Sequence, residues 1–178
     1  MDSINKQQPE DNYEDLTGTE AVEKIRELTD KSKVCFFCSR INSNEAFAAR
    51  PMALQQVDDE GNLWFMSAND SHKNKEIASD PMVQLLFQGS SYSDFLSIYG
   101  EATISKDKDK IQELWSPMVK GWFTEGVDDP RITLIRIRPT EGYYWDTKHN
   151  HAIGFIKRLI GAAIGKTMDD SVEGEIEV

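Results

Sequence analysis

From Val34 onward the chain falls into short β-prone runs separated by turn residues, and nowhere does a strand alternate with a helix of crossover length. That pattern rules out a doubly wound parallel sheet. Val34–Ser39 is a continuous apolar run, suited to a strand covered on both faces. Phe47–Val57 and Leu63–Ser67 follow, joined by Asp58-Asp59-Glu60-Gly61, a hairpin signal. Met82–Phe87, Phe95–Ile104, Ile132–Arg138 and Gly142–Trp145 complete the set. Six or seven such strands with short inserted helices predict a mainly β (α+β) antiparallel barrel.

Helices punctuate the strands. Thr17-Gly18-Thr19-Glu20 reads as a capping box, with Val22, Ile25 and Leu28 recurring on one face until Lys31-Ser32-Lys33. Ser71 can cap a short helix through Ile77, and Asp107 another through Trp115. Ile153, Ile156, Ile160 and Ile164 mark a last one, expected to pack on the protein itself. The implied organisation is a disordered acidic arm (1–16), one barrel domain (17–148), a C-terminal helix (149–168) and an acidic tail (169–178).

The formal net charge is −11, but it is concentrated at the ends. Residues 21–168 hold 20 acids against 19 bases, so the barrel itself is nearly neutral. A duplex carries one charge per ~1.7 Å and calls for a basic stripe, so no nucleic-acid partner is expected. No run of apolar residues is long enough for a signal peptide or a membrane span, and two cysteines make no disulfide framework. A cytoplasmic location is expected. Cys35-Phe36-Phe37-Cys38 has redox-motif spacing but lies in a strand, which sends the sulfurs to opposite faces. His149 and His151 are too few ligands for a metal site, and no metal is expected.

The densest chemistry lies in Arg50-Pro51-Met52-Ala53 and in Phe65-Met66-Ser67 followed by Ser71-His72-Lys73. The second stretch sets hydroxyls, an imidazole and an ammonium at the opening of a helix, where free N–H groups attract anions. Basic side chains are disfavoured there unless an anion is present too. Arg50, from a neighbouring strand, can add a two-pronged contact. The alternative is a plain serine cap with Lys73, Lys75 and Glu76 on a solvated helix face.

Together with Tyr99-Gly100, Trp115–Gly126, Asp128-Asp129-Pro130-Arg131-Ile132 and Tyr144-Trp145-Asp146, these segments resemble the pyridoxamine-5′-phosphate-oxidase-like flavoproteins. The general-stress-protein branch is the nearest in pattern. The resemblance implies an FMN-binding split barrel that forms a homodimer, with flavin mononucleotide (FMN) at the subunit interface. It implies Arg50 and Lys73 on the phosphate, Ser71 and His72 beside it, and Pro51, Met52, Ala53, Ser67 and the backbone of Phe65 and Met66 along the ring. Trp145 would lie near the flavin, and Lys120 and Trp122 would reach across from the other subunit.

Three positions depart from the oxidases proper. Gln55 stands where they carry a lysine, Phe95 replaces a glutamine, and nothing after Trp145 matches their arginine-and-histidine motif. Vitamin B6 oxidation is therefore not expected. The expected function is an FMN-dependent oxidoreductase of unknown substrate, reduced by NADH or NADPH and linked to stress. No catalytic residue is identified, since the cofactor performs the chemistry. The alternatives are a flavin reservoir or sensor without turnover, a groove for haem or a deazaflavin, and a ligand-free dimer.

Overall fold

The computed structural model describes residues 12–44, 46–91, 94–147 and 171–178. Residues 1–11 of the arm expected over 1–16, the helix expected over Ile153–Ile164 and the two histidines before it lie outside these residues.

Eight strands form one sheet: β1 (Leu16–Thr17), β2 (Val34–Ser39), β3 (Ala48–Val57), β4 (Leu63–Ala68), β5 (Met82–Gln88), β6 (Phe95–Ser105), β7 (Ile132–Thr147) and β8 (Ser171–Glu177). Their order is β1-β8-β7-β4-β3-β2-β5-β6, and β6 also pairs with β7. That last pairing closes β7-β4-β3-β2-β5-β6 into a six-stranded antiparallel barrel. Between the strands lie α1 (Gly18–Lys31), α2 (His72–Ser79), α3 (Lys108–Leu114) and the short α4 (Pro117–Lys120).

Alternation along each strand decides what faces inward. Phe37, Leu54, Phe65, Leu85, Ile98 and Ile137 fill the barrel, and the Phe37 and Phe65 rings meet edge to face at 5.7 Å. The opposite side of β4 and β7 carries a second cluster, in which Ile111, Leu114, Val119 and Phe123 from the α3–α4 region cover Leu134, Trp64 and Met66.

The two runs expected as separate strands, Ile132–Arg138 and Gly142–Trp145, are one strand of 16 residues. Pro139 lacks the N–H that a continuous ladder needs. The pairing slips there, from Tyr99↔Glu141 to Gly100↔Pro139, so Thr140 bulges out and the strand continues. A Cβ at Gly100 would lie 2.6 Å from the Arg138 carbonyl oxygen, so only glycine permits this approach.

Two further expectations differ at the ends. The capping box is absent: Thr17 pairs with Glu177 in β1, and its side chain makes no capping hydrogen bond. The segment read from its charge as an acidic tail is, over Ser171–Glu177, strand β8, antiparallel to β7 and parallel to β1. Val172, Gly174 and Ile176 are buried while the glutamates between them face outward, so β8 is amphipathic at period two.

The helix α1 is fastened to the barrel by charge as well as by Ile25 and Leu28. Lys31 Nζ donates to buried Asp94 at 2.7 Å, and Lys24 Nζ donates to buried Asp146 at 3.1 Å. Burial alone would lower the Lys31 pKa, yet hydrogen bonds to Asp94 and Glu27 raise it. Asp146, in the Tyr144-Trp145-Asp146 segment, is thus a structural anchor.

Candidate functional site

A cavity of about 250 Å³ opens on the outer side of β3 and β4, under the α4 region. Its walls follow from strand parity. Pro51, Ala53 and Gln55 alternate along one side of β3, while Met66 and Ala68 do so on β4. Val119, Trp122 and Phe123 close it from the helical side, and Lys73, in the first turn of α2, is the one ionisable side chain among the lining residues.

The floor of that helix opening is a buried polar network. Ser67 donates to Asn74 Oδ1 at 2.7 Å and lies 3.1 Å from the Ser71 hydroxyl, while Asn74 Nδ2 donates to Thr133 at 2.9 Å. Ser71 also accepts from the Asn74 backbone N–H at 3.4 Å, the expected cap. These bonds fix the α2 opening against β4 and β7, and with it the position of Lys73.

Arg50 lies beside this opening. Its Nη2 donates to Glu76 at 2.7 Å, and Glu76 also accepts from Ser39 at 2.6 Å. Burial alone would raise the Glu76 pKa, but these hydrogen bonds and the Arg50 charge hold it below the usual carboxylate value. The other guanidinium nitrogen, Nη1, is buried and finds no hydrogen-bond partner among the described residues. The Lys73 pKa is pushed down, first by burial and then by the Arg50 charge. Arg50 and Lys73 lie close enough to repel, and Asp70 and Glu76 are the carboxylates that act on Lys73 in the opposite sense. What the place lacks is a hydrogen-bond acceptor for Arg50 Nη1 among the described residues.

Of the residues singled out in the sequence, Pro51, Met52, Ala53, Met66, Ser67, Lys73 and Trp122 converge on this cavity. Arg50 and Ser71 border it through Lys73 and Ser67. The Phe65 ring points the other way, into the barrel, which leaves only its backbone near the cavity. His72 opens onto a separate, wider cavity. Trp145 packs against Tyr143, with ring centroids 4.7 Å apart and the planes tilted by 50°, and is not among the lining residues; neither is Lys120. Trp122, expected to serve the opposite subunit, lines the cavity of its own chain.

Gln55, Ala68, Val119, Phe123 and the Arg50 partner Glu76 were not singled out for the site. Period two along β3 and β4 from Pro51 and Met66 reaches Gln55 and Ala68. Val119, Phe123 and Glu76 arrive by tertiary contact alone.

Among the described residues, no group of three or more His, Cys, Asp or Glu side chains is placed to hold a metal ion. Among them, no helix is long and apolar enough to cross a membrane. Both cysteines are free and buried, and the Cys35 thiol is pushed up to about 12, mainly by burial.

Comparison with known proteins agrees with this architecture. The Neurospora crassa protein bli-3 is 27% identical over 134 residues, covering 68% of this chain; the match spans 64% of that relative's length. The structure of general stress protein 26 from Bacillus anthracis str. Sterne superposes with a TM-score of 0.60 at 22% identity, covering 69% of this chain and 92% of the other. A general stress FMN/FAD binding protein from Xanthomonas citri superposes with a TM-score of 0.58 at 24% identity, covering 68% and 85%. These two structural likenesses speak to the fold. The family described as pyridoxamine 5′-phosphate oxidase like matches residues 20–169, and the chain belongs to that family.

Proposed function

We propose that this chain is an FMN-binding flavoprotein acting as a homodimer, and that it passes electrons from NADH or NADPH through the flavin to an acceptor. The observation that carries the reading is the buried, unpartnered Nη1 of Arg50 beside Lys73, a cation held down by burial and by that same arginine. A phosphate dianion relieves both at once: it accepts from Nη1 and opposes the burial and the Arg50 charge that lower the Lys73 pKa. The residues present therefore fit the terminal phosphate of a flavin mononucleotide.

The cavity wall suits the remainder. Met52, Met66, Trp122 and Phe123 offer apolar surface that excludes water from a planar ring, and the small side chain of Ala53 leaves it room. Ser71 and His72 stand at the helix opening next to the phosphate position. When bound, a flavin supplies two-electron redox chemistry, which explains why the chain needs no catalytic triad. The Xanthomonas citri protein named for FMN/FAD binding shares the fold, which supports the same choice of ligand.

An exposed apolar surface next to the cavity supports the dimer reading. Pro51, on its rim, pairs in register with Phe36, and Phe36 with Leu86. Phe36 is 59% exposed and Val34 52%, with Leu86 and Tyr99 also exposed, so the outer faces of β2, β5 and β6 form an apolar stripe running into the site. A second copy covers that stripe and completes the cavity wall. Lys120 and Trp145 belong to this reading only as contributions across that boundary.

A second reading, a flavin reservoir or sensor without turnover, is favoured by the scarcity of ionisable groups in the cavity, where Lys73 stands alone among the lining residues. One experiment separates the two. The flavin-loaded protein is mixed anaerobically with NADH or NADPH while the visible flavin band is followed. Rapid, saturable bleaching supports the oxidoreductase; a band unchanged by both nucleotides supports the reservoir.

A further inference from the structure

Glu76 is a carboxylate where an anion is to be held. It lies one turn into α2, is not among the residues that line the ring cavity, and meets the phosphate seat through Arg50. By Coulomb's law a negative charge so near the seat disfavours a bound phosphate. Yet Glu76 is tied into the fold. Its Oε2 accepts from the Ser39 hydroxyl at 2.6 Å and from Arg50 Nη2 at 2.7 Å. Ser39 is fully buried at the end of β2, and Arg50 lies on the adjoining β3, opposite Phe37. One carboxylate oxygen thus joins α2, β2 and β3.

The hold on Arg50 is one-sided. Nη2 is engaged, whereas Nη1 is buried with no hydrogen-bond partner among the described residues. An arginine left free loses rotamer freedom when a ligand binds, and one already held by a carboxylate has lost it beforehand. The support runs in sequence: the Ser39 hydroxyl fixes the carboxylate, and the carboxylate fixes the guanidinium. The opening of α2 is itself pinned by Asn74, through Ser67 and Thr133.

We infer that Glu76, held by Ser39, is the positioning residue of the phosphate seat: it fixes Arg50 through Nη2 so that Nη1 is presented to the anion. This inference rests on the flavin reading above. It predicts a sign opposite to that of charge alone. Removing Glu76 makes the seat more positive, which by itself tightens an anion. Losing the fixed guanidinium weakens it, and that effect is the larger.

The full chain, stripped of flavin, is titrated by calorimetry with FMN and riboflavin. Glu76→Ala, Glu76→Gln, Arg50→Ala and the Glu76→Ala, Arg50→Ala pair are titrated beside it. Glu76→Ala is expected to lose about fivefold or more toward FMN and less than about twofold toward riboflavin, whose retained binding shows that it is folded. Glu76→Gln keeps an acceptor for Nη2 and should bind FMN at least about threefold more tightly than Glu76→Ala. In the Arg50→Ala background, Glu76→Ala should not weaken FMN further, because nothing is left to position. FMN affinity unchanged or raised in Glu76→Ala, an equal loss toward riboflavin, or a loss of the same size without Arg50 each overturns the inference. So does a Glu76→Gln variant no better than Glu76→Ala. Should Glu76→Ala bind neither flavin, Ser39→Ala decides, since it frees the carboxylate on its far side. A loss above about threefold confined to FMN then supports the inference, and a smaller one overturns it. An unaltered chain that binds neither flavin overturns the flavin reading itself, an outcome distinct from FMN binding that Glu76 leaves untouched.

Discussion

Arg50 and Lys73 lie close enough to repel, with Asp70 and Glu76 acting on Lys73 in the opposite sense, and the guanidinium donates to Glu76 through Nη2 while Nη1 has no partner among the described residues. Replacing either cation removes a charge-assisted contact to a phosphate, whose loss costs more than ~1.4 kcal/mol, a tenfold change in affinity. Arg50→Ala and Lys73→Ala are each expected to weaken FMN at least tenfold while leaving riboflavin nearly unchanged, as calorimetry with the two ligands reads directly. A pH profile follows from Lys73. Its pKa lies below the ordinary 10.5, and the cation is the form that binds phosphate. Affinity is therefore full below that depressed pKa and falls as pH rises through it. On the acid side it falls again below about pH 6, where a phosphate monoester takes up its second proton. Lys73→Arg keeps its charge and should flatten the alkaline limb in a calorimetric pH series. Cys35, by contrast, stays protonated behind the barrel wall. It should resist alkylation at mildly alkaline pH in the folded protein and react once the protein is unfolded.

At the level of elements, β8 shows how a segment can be misread by counting charges. Its five-acid surroundings suggest a solvated tail, yet Val172, Gly174 and Ile176 alternate with the glutamates and pack against β7. Gly174 is the tightest point: an added Cβ would fall 1.7 Å from the Glu14 carbonyl oxygen. Gly174→Ala should cost about 1–3 kcal/mol, measured by urea unfolding, because backbone rather than a flexible side chain must move. Barrel strands β2 to β6 are legible from their alternation and turn residues, since in a barrel each strand has one face in the core. The long β7 is not, because Pro139 reads as a terminator until Gly100 opposite is seen to accommodate the bulge. For the site, the strand-borne residues Pro51, Ala53 and Met66 and the helix-opening Lys73 are legible. Val119 and Phe123 are not, because packing of α4 onto β4 depends on contacts distant in sequence.

For the molecule as a whole, the apolar stripe on β2 and β5 and the ring cavity form one continuous surface through Pro51. Assembly and ligand binding are then linked. Phe36→Glu with Leu86→Glu, placed on the exposed side of the sheet, should leave the barrel folded. It should convert a particle of twice 20.3 kDa into a monomer in light scattering and weaken FMN in parallel. The phosphate seat is tested most directly by a paired titration of the unaltered, flavin-free protein with FMN and riboflavin. The seat requires FMN to bind at least a hundredfold more tightly, two charge-assisted contacts at roughly tenfold each. Equal affinity for the two would mean that Arg50 and Lys73 hold no phosphate.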